Sequence, residues 1–189
     1  MAKTDLSTFS NADFDKGAGK AKIMLWYFVN ALIVRAAWNP FISMKVFLLR
    51  LFGARIGKGM VIKNEVRIKS PWFLTCGDNV WLGENCWIDN LAPVTIGSNV
   101  CISQGALVIT GNHDYTSTDF AYRNAPVTIE DGAWIGARSV VAPGVCMHEH
   151  SILTVGSIAT TDLMAYGIYK GNPATLSRQR KIQHDKTQG

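Results

Sequence analysis

His113 stands in the run Asn112-His113-Asp114-Tyr115, at the foot of the one long stretch that breaks an otherwise regular pattern in this chain. A neutral imidazole can take a proton near pH 7, so a histidine held beside a hydroxyl is suited to general-base work. A lone histidine in a loop is more often a solvated surface residue. The place of this one, between Asn and Asp at the base of the excursion, favours the chemical reading. A second polar pair, Asp89-Asn90, falls where the pattern slips by two residues. Asp and Asn also favour corners for purely conformational reasons, and on residue type alone that reading is slightly the stronger. Asp114 is next to His113, but adjacent side chains rarely bond one another well, so it is a weak candidate for orienting the ring.

Across residues 76–174 a branched or apolar residue returns every six positions: Cys76, Leu82, Ile88, then Ile96, Ile102, Val108, then Ile129, Ile135, Val141, Met147, Leu153 and Ala159. Gly often follows, as at Gly77, Gly83, Gly97 and Gly136, and a small or apolar residue sits four places after the start, as at Val80, Cys86, Ala106, Ser139 and Ser157. The faces of an α-helix recur every 3.6 residues, so a period of six excludes one. A triangular coil of short strands fits. Each hexad makes one side, three hexads make one turn, the starting residue fills the interior, and the Gly helps the chain round the corner. Fixed-period repeats of this kind mark a parallel β-helix. A weaker run, Ile56, Ile62, Ile68 and Leu74, predicts an irregular first coil interrupted by Pro71 and Trp72. From Ile88 to Ile96 the spacing is eight residues, and from Val108 to Ile129 it is a full turn plus three, which predicts an extruded loop over residues 109–128. Long loops in compact domains are usually functional.

The net charge of +5 is a modest basic excess that suits anionic partners without requiring nucleic acid, and none is assigned. Cys76, Cys86, Cys101 and Cys146 lack CxxC spacing and lie within the repeat, so all four are expected to be core thiols in a reducing compartment. The chain shows no cleavable signal pattern, which points to the cytoplasm. Residues 1–55 divide into a polar arm and an apolar helical segment. The arm is expected to be a frayed terminus; the alternative is an arm that packs on a neighbour through Phe9 and Phe14, or reaches a substrate through Asp13 or Asp15. Residues 20–37 predict a helix apolar nearly all round. A second helix over residues 40–52 is expected to start with Asn39 as N-cap and Pro40 in first position, and Gly53 ends it. No acidic residue occurs between Asp15 and Glu65, whereas Lys16, Lys20, Lys22, Arg35, Lys45 and Arg50 are basic. Basic residues around an apolar aromatic surface suit a peripheral contact of residues 20–52 with an anionic membrane, at its inner face. They equally suit a cap over the open end of the coil, or a subunit contact. The two readings stand level. Residues 56–174 form the coil, and residues 175–189 a basic tail whose Arg178, Arg180 and Lys181 are either solvated or held for a phosphate.

The hexads, the Gly111-Asn112-His113-Asp114-Tyr115 loop, the Trp134-Ile135-Gly136-Ala137 step, the Ala142-Pro143-Gly144-Val145 hexad and the Gly171-Asn172-Pro173-Ala174 exit together resemble the left-handed β-helix (hexapeptide-repeat) acyltransferases. Within them the chain is most similar to exopolysaccharide, colanic-acid-type O-acetyltransferases, then to the maltose and galactoside acetyltransferases. The likeness spans about residues 56–178. It implies a mainly β fold, a left-handed parallel β-helix with an N-terminal α-helical segment and one long loop. Left-handed winding is an exception to the usual crossover rule that periodicity alone does not reveal. The likeness also implies acetyl-CoA as co-substrate, a sugar or saccharide acceptor, and a homotrimer with active sites between subunits. His113 matches the family's general base, and Asp89 and Asn90 straddle the position of an active-site polar group, with the choice between them open. Trp134 and Ala137 match positions lining the pantetheine channel, Val155, Thr160 and Thr161 match later contacts to CoA, and Arg178 matches a tail arginine near the nucleotide phosphates. Thr161 stands where many relatives carry Lys, which removes one charge contact.

Under that resemblance a sugar hydroxyl attacks the thioester directly as His113 takes its proton, and a backbone N–H or the Asn90 amide holds the oxyanion. No metal is required. A zinc carbonic anhydrase on the same scaffold would need three histidines from His113, His148, His150 and His184, and these include no pair at H-x4-H spacing. A non-catalytic β-helix scaffold is the other rival, and the retained loop, step and exit motifs argue against it.

Overall fold

The computed structural model describes residues 2–12 and 14–183, so Asp13 and His184 lie outside the described residues. Strands of two to six residues stack into three sheets, one per side of a solenoid of about six turns. On the first face Ile56, Cys76, Ile96, Ile129 and Met147 stand in register. On the second stand Ile62, Leu82, Ile102, Ile135, Leu153 and Tyr169, and on the third Ile68, Ile88, Val108, Val141 and Ala159. Every ladder within the coil is parallel, so each turn satisfies its backbone groups on the turns above and below it. The hexad starts from Cys76 onward are buried, as are their small companions from Val80 to Ser157. Burying one Ile or Leu is worth about 1.5–3 kcal/mol, so the three columns are the main cohesive element.

The corners turn differently from expectation. The left-handed backbone position falls three residues after nine of the twelve hexad starts, at Asn79, Asn85, Asn99, Gly105, Gly132, Gly144 and Gly156, where Asn and Gly tolerate positive φ, and also at Arg138 and His150. The Gly directly after the start has another task. A Cβ on Gly136 would lie 2.5 Å from the backbone nitrogen of Val155 in the next turn, so Gly there permits close stacking of turns. The first coil also departs from strict sixes. Leu74 is buried, but Cys76 pairs with Ile96, and a short 3-10 helix, Pro71–Phe73, takes up the extra residues. The excursion is bounded by the strands Leu107–Ile109 and Val127–Ile129.

Two helices cover the N-terminal end. α1 spans Lys20–Val29 and passes into a π-helical turn, Asn30–Val34, rather than continuing as α-helix to residue 37. α2 spans Ile42–Leu51 and starts two residues later than expected, with Phe41 at the cap. Asn39 is buried instead. Its Oδ1 accepts from the Phe41 N–H at 3.0 Å and its Nδ2 donates to the Ile33 carbonyl at 3.0 Å, so it ties the two helices together. Gly53, at φ +103°, closes α2: its N–H bonds to the Arg50 carbonyl and that of Ala54 to the Leu49 carbonyl. Trp26, Val34, Leu49 and Phe52 join the coil's core, and the Trp26 indole donates to the Ile68 carbonyl at 3.1 Å. Lys45 is a correction to the basic surface: it is buried, with Nζ 3.1 Å from Asn64 Oδ1, and desolvation pushes its pKa down. The cap reading therefore describes one side of the helices. Their other side leaves Leu25, Tyr27, Phe28, Leu32, Phe41 and Phe47 exposed. Among the described residues no helix is long and apolar enough to cross a membrane.

At the far end residues 175–179 of the expected tail belong to an ordered strand. Gly167–Gly171 and Ala174–Gln179 form an antiparallel hairpin around Asn172 and Pro173. Arg180 pins it to the coil through Nη1, which donates to the carbonyls of Gly132 at 2.9 Å and His150 at 3.1 Å.

The cysteines divide. Cys76 and Cys86 are buried, and burial pushes both thiols up to about 12. Cys101 and Cys146 precede hexad starts and face outward at intermediate exposure, so they are not core thiols; burial is the main cause that raises each. A chromogenic disulfide reagent is expected to label Cys101 and Cys146 in the native protein, and Cys76 and Cys86 only after unfolding. Early labelling of Cys76 or Cys86 would contradict the packing. In urea denaturation Gly136→Ala should cost about 3 kcal/mol, the top of the overpacking range. Gly156→Ala, whose Cβ meets nothing within 4 Å, should cost about 1 kcal/mol for its positive φ. Equal losses would show that the wall yields at Gly136.

Candidate active site

The excursion is a hairpin with order of its own. His113 bridges Tyr122 in antiparallel fashion, the Asp114 N–H bonds to the Ala121 carbonyl at 2.8 Å, and the Arg123 N–H bonds to the Asn112 carbonyl at 2.8 Å. Phe120 adopts positive φ at the turn, which aims its carbonyl back at the His113 ring. Among the described residues the ring makes one hydrogen bond, from Nδ1 to that carbonyl at 2.7 Å. A carbonyl only accepts, so Nδ1 carries the proton, and in the neutral ring Nε2 presents a lone pair. The ring stacks on Phe120, with centroids 4.3 Å apart and planes 11° from parallel, and Tyr122 and Phe9 pack on it at 4.9 Å and 5.8 Å. Asp114 takes no part: its Oδ1 accepts from the Thr116 N–H and hydroxyl, and those bonds hold its carboxyl below the usual range.

The arm is docked rather than frayed. Phe9 and Phe14 pack on Tyr122 of the same chain, and the Asp5 N–H bonds to the Thr118 carbonyl at 2.8 Å. Between arm and loop lies a cleft of about 530 Å³ lined by Asp15, Leu91, Pro93, Asp119, Tyr122 and Asn124. Tyr122 borders both the cleft and His113.

The geometry separates Asp89 from Asn90. Asp89 faces outward and meets Lys69 Nζ at 2.7 Å. Asn90 is fully buried: its Oδ1 accepts from the Ser70 N–H at 2.9 Å and its Nδ2 donates to the Ser70 carbonyl at 2.6 Å. Asn90 thus splices two coil turns and has no face toward a substrate, which corrects its assignment as an oxyanion donor. Asp89 remains on the outer wall one strand below the loop, paired with Ile109.

The residues matched to CoA stand elsewhere on the chain. Trp134 is 45% exposed on the second face and donates from Nε1 to Ser103 Oγ at 2.9 Å. Ala137 and Val155 lie at the corner between the second and third faces, where the Gly156 N–H bonds to the Ala137 carbonyl. Thr160 and Thr161 are exposed beyond the third-face strand Ile158–Ala159, and Arg178 is exposed on the terminal hairpin opposite Ile168. The loop leaves the corner between the third and first faces, so one chain does not bring His113 to Trp134, Ala137 and Val155, whereas Thr160 and Thr161 follow a third-face strand and stand at the loop's own corner, further along the coil. Residue types alone gave no sign of the Phe120 carbonyl, because its role belongs to the backbone. Tyr122 had a faint signal as one of the aromatic residues of a polar loop.

Comparison with known proteins accords with this architecture. The profile described as "Hexapeptide repeat of succinyl-transferase" matches residues 74–110 and 126–147. An Escherichia coli K12 protein named as the colanic acid biosynthesis acetyltransferase WcaF is 38% identical over 178 residues, covering 93% of this chain and 97% of that protein. The galactoside O-acetyltransferase of the same organism is 31% identical over 122 residues, covering 59% of this chain and 60% of that protein. A hexapeptide-repeat acetyltransferase of Vibrio cholerae, solved in complex with acetyl-coenzyme A, superposes with a TM-score of 0.77 at 20% identity, covering 92% of this chain and 93% of that one. The chain belongs to the hexapeptide-repeat acetyltransferase family and is an acyltransferase.

Proposed function

We propose that this protein is an O-acetyltransferase that moves an acetyl group from acetyl-CoA to a hydroxyl of a saccharide, an exopolysaccharide precursor. The observation that carries the reading is the Nδ1–H bond of His113 to the Phe120 carbonyl, which leaves Nε2 free to take a proton. In a ternary complex the acceptor hydroxyl gives its proton to Nε2 as its oxygen attacks the thioester carbonyl. The imidazolium keeps its Nδ1–H bond to Phe120 and then returns a proton to the departing CoA thiolate. With Asn90 engaged by Ser70, a backbone N–H is left as the oxyanion donor. The acceptor fits the cleft between arm and loop, where Asp15, Asp119 and Asn124 offer hydrogen bonds of the kind sugar hydroxyls need. The exopolysaccharide assignment rests on the name of the Escherichia coli relative, and a small free acceptor of the galactoside type is the alternative.

The winding is left-handed, as the family resemblance implies, and the working unit is a homotrimer. The separation of His113 from Trp134, Ala137 and Val155 supports this, since a second copy can bring one chain's loop to another chain's CoA side. Trp134, Ala137, Val155, Thr160, Thr161 and Arg178 make up that side. The exposed apolar face of α1 and α2, with Lys20, Lys22, Arg35 and Arg50 nearby, supports a cytoplasmic protein resting on the anionic inner face of a membrane, where a lipid-linked acceptor would lie.

Thiol release from acetyl-CoA, with free and lipid-linked sugars as acceptors, is the first test. His113→Ala should lose about 10²–10⁴-fold in turnover while still binding acetyl-CoA. Equal rates in wild type and variant would remove His113 as the base. Refolding His113→Ala together with Ala137→Trp in equal amounts should restore about a quarter of the sites if each lies between subunits. No recovery would place the site within one chain. For the membrane contact, the wild type should float with phosphatidylglycerol vesicles and release in high salt, and Phe28→Glu combined with Leu32→Glu should remain in solution. Undiminished binding by that double variant would end the membrane reading.

A further inference from the structure

Glu130, Cys146 and His148 come together on the first face, at the edge away from the loop. Cys146 and His148 flank the buried Met147, so strand alternation turns both outward. Glu130 follows Ile129, which pairs with Met147, and this sets its carboxylate beside His148 in the next turn. The separations are 3.3 Å from His148 Nδ1 to Glu130 Oε1, 3.8 Å from Cys146 Sγ to Glu130 Oε1, and 3.8 Å from Cys146 Sγ to His148 Nδ1. The point equidistant from the three atoms lies about 2.1 Å from each, which is the length of a zinc–nitrogen or zinc–oxygen bond and slightly short of a zinc–sulfur bond. A cation placed just off the plane of the three would reach all of them with little movement, and a fourth position would face solvent.

We propose that Glu130, Cys146 and His148 bind a borderline divalent transition cation, zinc foremost, through one carboxylate oxygen, one thiolate and one imidazole nitrogen. The donor set is the mixed S, N, O set that zinc accepts and that magnesium and calcium do not. The surroundings are those of a built site. Glu130 Oε2 accepts from the Glu149 N–H at 2.9 Å, which orients the carboxylate, and the His148 N–H bonds to the Leu163 carbonyl at 2.9 Å, which fixes the backbone behind the ring. Asp162 accepts from the Cys146 N–H at 2.8 Å and adds negative charge next to the thiol. The three ligands come from two successive turns, so the ion would cross-link them outside the backbone ladder. The site lies apart from His113 and is independent of the acetyl-transfer reading. A bare His148–Glu130 ion pair on the wall is the competing account of the same geometry.

Cobalt(II) serves as the probe, because a thiolate ligand gives it a near-ultraviolet charge-transfer band and a tetrahedral site gives intense visible bands. The wild type should take up one cobalt per chain with both signatures, and zinc should displace it. Cys146→Ser should lose the charge-transfer band, and Glu130→Gln and His148→Ala should each weaken binding at least tenfold, whereas Cys101→Ser and His150→Ala should bind as wild type. A second readout guards against misfolded variants: zinc added to the wild type should slow reagent labelling of Cys146 and leave that of Cys101 unchanged. Absence of the charge-transfer band in the wild type, its persistence in Cys146→Ser, or equal labelling of Cys146 with and without zinc would each overturn the site and leave the ion pair.

Discussion

The parallel ladder between successive turns governs everything else in this molecule. Neighbouring strands lie about 4.8 Å apart, so each turn repeats the outline of the one beneath it. Interior residues must stack on like residues, which is why Ile, Leu and Val columns run along all three faces. The same closeness leaves no space for a Cβ at Gly136, and most of the sharp corners call for left-handed backbone three residues after the start. An insertion is tolerated only where it can leave at a corner without opening the ladder. The hairpin carrying His113 does so between the third and first faces. Once outside the coil it lacks the wall's support, and it supplies its own through cross-strand bonds and through the packing of Phe120, Tyr122 and Phe9 on the histidine.

That origin explains why the ring is oriented by a backbone carbonyl and not by a carboxylate. A hairpin turn at Phe120 already directs a C=O inward, and the bond from Nδ1 costs no buried charge. A neutral acceptor fixes the tautomer, which is what the proposed role of His113 as a base requires. Asp114, the acidic residue nearest in sequence, is turned into the loop's own Thr116 contacts.

The interior was readable from residue types because period and burial coincide: a residue that returns every six places and is apolar can only face inward. Outward residues follow by alternation, and the same logic places Cys101 and Cys146 outside, one position before Ile102 and Met147. Composition had suggested core thiols, and position outweighs it. At the two-residue slip alternation still holds, against the polar character of the residue it turns inward. Ile88 faces in and Asp89 out, and Asn90 returns to the interior to bond Ser70, a pairing between turns with no signal along the chain. Lys45 shows the same limit for charge. A basic residue in an acid-free segment reads as surface, yet this one is buried over the coil's open end beside Asn64. The cluster of Glu130 with Cys146 and His148 was hidden for the opposite reason, since sixteen residues of sequence separate side chains that one ladder step brings together.

A three-sided rod presents flat faces, and flat faces do not enclose a small molecule. Enclosure requires something that stands off the wall. In this chain the hairpin and the N-terminal arm do so, and the cleft of about 530 Å³ lies where they meet, bordered by Tyr122. The second face, with Trp81 and Trp134 standing outward, has no comparable partner within the described residues. The wall that carries these exposed aromatic side chains and the hairpin that holds the imidazole stand on different sides of one chain. The rigid ladder cannot bend to bring the two together. Under the proposed assembly a neighbouring copy would set its own hairpin against that wall and leave intact the stacking that holds each chain.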